Sequence, residues 1–435
     1  MIGQEVFGVG LPNKDRLHNT LYCKSNQRFT FTMCETVPVR HQLFSSQDRG
    51  EVRRVEPGAY WAFHPKPIPR ALEFTSDVVG MLDRATGALH RLAGVGRLLP
   101  NPQMLIVPYV RLEAVLSSRI EGTQSNVTDI LRFEAGDDES VGELRSDAQE
   151  VHNYMAALDH GAERLRGGFP LSTRLLREVH AKLMHGVRGE RATPGEFRRS
   201  QNWIGGTSPS NAEFVPPPVD AMGLALDDLE LFLHDRSMPL LIQLALVHYQ
   251  FEVIHPFLDG NGRLGRLLIP LVLIERKVLP QPLLYLSVYF EEHRDEYYEL
   301  LMSTSRSGDL NPWFRFFLRG VAQQAADAEE RTVRLVELQA RLRNELLEAR
   351  VRVPVVRAAE LLFSSPYVSA KRLAAQLEVT NPTAQHAIDT LVHRGVLVEA
   401  TGRRRNRFYF APGIFDALYG KATATQSATQ PTLFE

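Results

Sequence analysis

The sequence predicts a mainly α fold: a helical core interrupted by one small β-hairpin flap, followed by a C-terminal winged helix-turn-helix. Three observations carry this. From Ala71 onward, apolar residues recur at helical spacing in one segment after another. One such segment, Leu240–Ile254, is apolar nearly all round, which places it inside the core. Near Val353 the pattern changes to short helix, tight turn, helix and two short strands.

In chain order, residues 1–56 mix charge, Ser, Gln and Gly without a steady period and read as a poorly ordered extension, with a short strand at Arg28–Met33. Residues 57–165 form an N-terminal helical region. Leu72, Val79, Met81, Leu82, Leu89 and Leu92 mark its first helix. A second helix runs from about Pro108 to Gly122, with Leu112, Val115, Leu116 and Ile120 on one face and Gly122 placed to end it. Further helices fall at about 145–165, 172–186, 220–234 and 239–252. The core domain spans 166–325. It includes a long Gly-, Pro- and Ser-rich loop with a small hairpin around Trp203–Ile204 and Glu213–Val215. A loop of this length inside a compact domain is usually functional, and Trp203 and Phe214 are expected to be buried under it. An apolar helix follows the loop at Pro256, with Pro270 inside it as an expected kink. Helices at about 291–306 and 311–350 come next. The second is rich in Glu, Arg and Leu and includes a linker at 326–352, expected to be an exposed linker or a homodimer helix.

The last module, 353–420, has nine Lys/Arg against four Asp/Glu over residues 351–410, so it is locally basic. Pro382–Arg394 is its expected recognition helix, with Gln385 and His386 offered to DNA bases and Arg403, Arg404 and Arg405 to phosphates. A protein-binding or dimerising module is the competing reading. Residues 421–435, rich in Thr, Ala and Gln, read as a disordered tail.

The whole chain has 435 residues and a formal net charge of -1, so nothing global attracts it to nucleic acid or membrane. Cys23 and Cys34 make neither a disulfide framework nor a zinc cluster and fit a reducing cytoplasm. The start, MIGQEVFGVGLPNKD, lacks the basic and apolar regions of a signal peptide, and no apolar run is long enough for a membrane helix.

The chemistry concentrates in HPFLDGNGRLGR, His255–Arg266. Gly260, Gly262 and Gly265 match the dinucleotide spacing G-x-G-x-x-G, but a helix rather than a strand precedes them, and no βα alternation surrounds them. A Walker A loop also fails, because no Gly-Lys-Ser/Thr follows. The stretch still suits phosphate. Gly260 and Gly262 let backbone N–H groups converge on an anion, and the helix that follows adds its positive end. Arg263 and Arg266 share a face of that helix and would fork onto successive phosphates. Asp259 is placed to hold Mg²⁺, and His255 to act as a general base near neutral pH. His180, His185 and His248 show no zinc pattern and read as structural.

HPFLDGNGRLGR resembles the signature of the Fic family, H-P-F-x-[D/E]-G-N-G-R-x-x-R, at every defined position. The flanking helices and the IGG…FVPPP loop extend the likeness over roughly residues 60–320. The resemblance implies a Fic-type helical core and a protein adenylyltransferase. His255 would deprotonate a hydroxyl of an unknown target protein, or of the chain itself, for attack on the α-phosphate of ATP. Asp259 would hold Mg²⁺, while Asn261 and the N–H groups across Gly260–Gly265, Leu264 included, would grip the α-phosphate region. Arg263 would meet the β-phosphate and Arg266 the γ-phosphate. Phe257 would anchor the loop. Gly262, where Doc-type relatives carry Lys, favours AMP transfer over phosphate transfer. The stretch SSRIEG resembles the family's inhibitory helix, which implies that Ser117 and Glu121 engage Arg266 and block productive ATP. The flap residues Ile204, Gly205, Gly206, Phe214 and Val215 would dock the target as an added strand. Tyr297 and Tyr298 would line the adenine pocket, with core packing as the competing reading. Two further functions compete: a DNA-binding regulator whose core senses nucleotide, and a site that removes AMP.

Overall fold

The computed structural model describes residues 41–56, 58, 60–97, 102–123, 126–136, 143–186, 193–279, 281–403 and 405–424. Cys23, Cys34, the strand expected at Arg28–Met33, Arg404 and most of the expected tail lie outside the described residues.

An antiparallel hairpin comes first, β1 (Gly50–Val55) with β2 (Tyr60–Pro65), Val52 paired with Phe63. The sequence reading put residues up to 56 in an unstructured extension. The physical reason is that the neighbours Arg53 and Arg54 are both exposed, so the strand lacks the in–out alternation that would mark it in sequence.

The helical body follows: α1 (Ser76–Arg97), α2 (Pro102–Ile120), α3 (Val127–Ala135), α4 (Glu143–Arg166), α5 (Thr173–Leu183), α6 (Val219–Leu233), α7 (Leu240–Ile254), α8 (Asn261–Glu275), α9 (Ser287–Glu292), α10 (Arg294–Ser307) and α11 (Asn311–Glu348). At the centre α7 and α8 pack on each other, with α2, α4 and α5 around α8. Both central helices are buried on nearly all sides, as the unbroken apolar run in α7 predicts. Pro270 lies inside α8 and Pro108 inside α2, rather than at its start. In each case buried neighbours keep the helix going despite the lost N–H.

α3 escaped the sequence reading although its start signal is written in the chain. Asn126 accepts from Asp129 N, and the Asp129 carboxylate accepts from Asn126 N, a reciprocal cap. α11 also differs from expectation. It is not an exposed linker: it lies along α1, and its Trp313 indole donates to Ala245 O of α7 at 2.8 Å. In its second half Leu335, Leu342 and Leu346 bury one stripe, while most positions between them are exposed.

Beyond α11 the order is α12 (Val353–Leu361), β3 (Tyr367–Ser369), α13 (Ala370–Leu377), α14 (Asn381–His393), β4 (Val398–Glu399), β5 (Phe408–Phe410) and α15 (Pro412–Ala424). The strands form one antiparallel sheet in the order β3-β5-β4. α15 continues past the boundary set for the tail and packs on α2 and α11.

The C-terminal region meets the core at a buried polar junction. Arg111 of α2 forks onto Glu134 of α3 at 3.2 and 2.9 Å and also donates to Ser364 O and Tyr419 Oη. Arg372 of α13 donates to Glu134 O, and Ser369 Oγ to Ala135 O. A second carboxylate fixes α2 from the other side. Glu113 accepts from Tyr154 Oη, Ser287 N and Ser287 Oγ, tying α2 to α4 and α9. Among the described residues no helix is long and apolar enough to cross a membrane.

Candidate functional site

His255 ends α7, and Gly260 begins α8, each in the left-handed region, with φ of 48° and 78°. Glycine adopts this freely; histidine does so at a cost of about 1–2 kcal/mol, so the loop must be held in place. Phe257 is wholly buried, stacked on the His180 ring at 3.8 Å between centroids. Gly195 N donates to His180 Nδ1, so Nε2 carries the proton and donates to Asp259 O at 2.9 Å. Burial pushes the His180 imidazole down to about 4, which keeps it neutral in that role.

The His255 ring has one assignable tautomer. Nδ1 lies 3.2 Å from Glu252 O, and a carbonyl only accepts, so Nδ1 holds the proton and Nε2 is bare. Burial pushes the imidazole down to about 4, against the opposing pull of the Glu252 carbonyl and the Glu121 carboxylate. His255 is therefore neutral throughout the physiological range, rather than poised at its middle. Glu252, one turn earlier, is driven up to about 8 by burial, with Arg266 opposing.

Arg266 is 1% exposed and extends from the second turn of α8 toward α2. It donates from Nε to Ser117 Oγ at 2.9 Å and from one terminal nitrogen to Ser117 O at 2.9 Å and Glu121 Oε1 at 2.7 Å. Glu121 is 38% exposed, so the pair is open to solvent on the Glu121 side rather than sealed in the core. Burial raises the Glu121 carboxyl, but the Arg266 charge and hydrogen bond outweigh it and hold it below the ordinary glutamate range. The spacing of Ser117 and Glu121, one turn apart, is what lets both reach a single guanidinium.

Other expected site residues are placed differently. The Asn261 amide is spent on the loop itself: its oxygen accepts from Phe257 N and its nitrogen donates to Phe257 O, both at 2.8 Å. Leu264 points into the core. Arg263 faces away from Arg266, donating to Glu150 at 3.1 Å and to Met184 Sδ at 3.4 Å, so it braces α8 against α4. Asp259 is 48% exposed and accepts from Gly260 N at 2.6 Å. Gly262 and Gly265 leave no room for a β-carbon: the Glu121 carboxylate fills the space at the first and the Glu252 carboxylate the space at the second.

Tyr297 belongs to the core. It is buried, stacks on Phe290 and donates to His248 Nε2 at 2.9 Å, while His248 Nδ1 donates to Gly265 O. Tyr298 is the open one, 42% exposed, with its hydroxyl 3.5 Å from Ile120 O. In the flap, Ile204 and Phe214 form the expected antiparallel bridge, with N···O distances of 2.9 and 3.1 Å. Gly205 and Gly206 supply its left-handed turn. Phe214 and Val215 are buried, and Val215 O accepts from Phe63 N of β2. Trp203 is 40% exposed, contrary to expectation, and Ile204 lies beside it at the surface. In the C-terminal region Gln385 is engaged by Asp389 and by Tyr409 Oη, so it is not free to read a base. His386 and Arg405 are exposed.

A left-handed histidine, a glycine-capped helix start and a buried arginine thus lie within twelve residues on one loop set between two core helices. Residues 79–163 match the Fic/DOC family N-terminal model and residues 170–273 the Fic/DOC family model, so those two stretches are Fic/DOC-type domains. It is 32% identical over 194 residues to the protein adenylyltransferase Fic of Aedes aegypti, covering 43% of this chain and 34% of that protein. It is 29% identical over 193 residues to the protein of the same name from Drosophila ananassae, again covering 34% of it. The chain thus spans about a third of the length of these curated relatives. A Fic family protein from Desulfovibrio desulfuricans G20 shares the fold, with a TM-score of 0.50 at 19% identity, over 80% of this chain and 98% of that one.

Proposed function

We propose that this chain transfers AMP from ATP to a protein hydroxyl and that Glu121 restrains the transfer. The observation that supports it best is the Arg266–Glu121 pair at 2.7 Å, set beside a glycine-capped helix start and a histidine with a bare Nε2. His255 Nε2 takes the proton of the acceptor hydroxyl. The oxygen bonds to the α-phosphorus, the bond to the bridging oxygen breaks, and pyrophosphate leaves. The protein contributes position and charge: the N–H groups at the start of α8 face the phosphates, and Arg266, released by Glu121, takes the terminal one. With Arg263 bound to Glu150, the β-phosphate would fall to the loop N–H groups. Asp259 suits Mg²⁺ as a single exposed carboxylate, since that ion keeps its other positions for phosphate and water. There it would neutralise charge on the departing pyrophosphate.

The acceptor is a protein segment laid against the flap at Ile204, where an added strand would find exposed apolar side chains. Mass spectrometry of Glu121→Gly chain incubated with Mg-ATP tests the reading: an AMP adduct is expected, and its complete absence would sink the transferase in favour of a nucleotide sensor.

The helix, strand, helix, helix, two-strand order of residues 353–410 favours a winged helix, and the exposed His386, Arg394, Arg405 and Arg407 suit a duplex backbone. A mobility shift with duplex DNA that weakens steeply with salt is expected; no shift at low salt would leave the module a protein contact.

A further inference from the structure

Arg198 lies in the flap segment, outside every motif described above, and is 1% exposed. Its side chain donates to four backbone carbonyls: His255 O at 3.0 Å, Ser200 O at 3.3 Å, Ile254 O at 3.5 Å and Pro217 O. Its own N–H donates to Pro256 O at 2.9 Å. Nearby, Asn202 Nδ2 donates to His255 O at 3.2 Å and to Phe257 O at 2.9 Å. A buried guanidinium facing carbonyls alone is unusual, and its setting explains it. Ile254 O and His255 O are the last carbonyls of α7, the negative end of a core helix, where a cation is stabilised. Burial lowers its pKa to about 10, which leaves it charged at neutral pH.

The acceptors come from two places that chemistry must bring into register. Ile254 and His255 carry the base; Ser200 and Pro217 are the two roots of the flap. We propose that Arg198 is the positioning residue of this site, pinning the left-handed His255 backbone and both flap roots to one point, so that an acceptor laid on the flap meets Nε2. The proposal rests on the transferase reading for its chemical consequence, but the mechanical link has its own readout.

Arg198→Met and Arg198→Lys, each in the Glu121→Gly chain, are compared for auto-AMPylation across ATP concentrations. A displacement near 1 Å costs on the order of 100-fold in rate. The Met variant is therefore expected to lose on the order of 100-fold in kcat, with the KM for ATP changed by less than about threefold, because the phosphate loop begins after the pinned segment. Lys, keeping the charge but reaching fewer carbonyls, recovers part of the rate. Equal losses in ATP affinity and kcat, or an unchanged kcat, would overturn the proposal. Hydrogen exchange of the same chains decides the link without catalysis: protection is expected to fall together at 254–257 and 203–206, and loss at only one of them counts against it. Should Arg198→Met fail to fold, Asn202→Ala, which removes two anchors from the same loop, one of them on the shared acceptor His255 O, carries the exchange test. An Arg198 chain that loosens both segments while the Glu121→Gly parent makes no adduct would refute the transferase and leave the link standing.

Discussion

The Glu121 carboxylate occupies the space that a β-carbon on residue 262 would need, while the same carboxylate bonds Arg266 at 2.7 Å. Gly262 has ordinary helical backbone, and a β-carbon there would have to displace the Glu121 carboxylate. One oxygen of Glu121 thus covers both the start of α8 and its buried arginine.

Removing that carboxylate should release Arg266. Site coupling of this kind is worth about 1–3 kcal/mol, so Glu121→Gly is expected to raise auto-AMPylation by roughly 10-fold or more. Labelling with ATP radioactive at the α-phosphate measures it. No gain over the parent chain would remove Glu121 as the restraint.

His255→Ala should abolish transfer, by on the order of 10²–10⁴-fold, while leaving ATP binding intact. The imidazole hydrogen-bonds Glu252 O of α7 through Nδ1, whereas the fold of the loop rests on Phe257, Asn261 and His180. Titration calorimetry with Mg-ATP alongside the labelling assay separates the two effects. Transfer that survives would exclude His255 as the base.

The base acts when unprotonated, so kcat/KM falls as pH drops through the His255 pKa. With that value near 4 instead of the ordinary 6.5, the rate should stay level through pH 6 and bend only toward about pH 4. Glu121 raises this pKa, so the Glu121→Gly chain shifts the acid limb further down rather than up. An acid limb centred near 6.5 would contradict the buried, neutral imidazole.

His248 and His180 link pH to stability. Burial lowers them to about 3 and about 4, so below 6.5 the unfolded chain binds protons that the native one refuses. Their contribution is complete above pH 6.5 and declines as pH falls toward 4 and then 3, by about 3 kcal/mol for His180 and about 5 kcal/mol for His248. Thermal unfolding between pH 7.5 and 4.5 should show Tm falling with pH. A level Tm would mean these imidazoles accept protons in the fold.

The site was legible in the sequence where its parts are contiguous. His255 to Arg266 lies on one stretch, and the unbroken apolar run of α7 announced a central helix. Partners were harder to read, because a residue type does not say which way its side chain faces. Arg263, Asn261 and Tyr297 all looked like ligand contacts and are engaged by Glu150, Phe257 and His248. Arg198 carried no signal at all: a lone arginine in a Gly- and Ser-rich loop looks solvated until the carbonyls of α7 are seen around it. Glu121 was found only through resemblance, since its partner stands 145 residues away.

Arg111 stands six residues before Ser117 on α2, and two of its bonds go to Ser364 and Tyr419, beyond α11. The helix that presents Ser117 to Arg266, with Glu121 just past its end, is therefore also a foundation on which the C-terminal region rests. Trimming the chain after α11 would not leave α2 undisturbed. It would leave a buried guanidinium short of two acceptors on the same helix that holds Arg266 through Ser117.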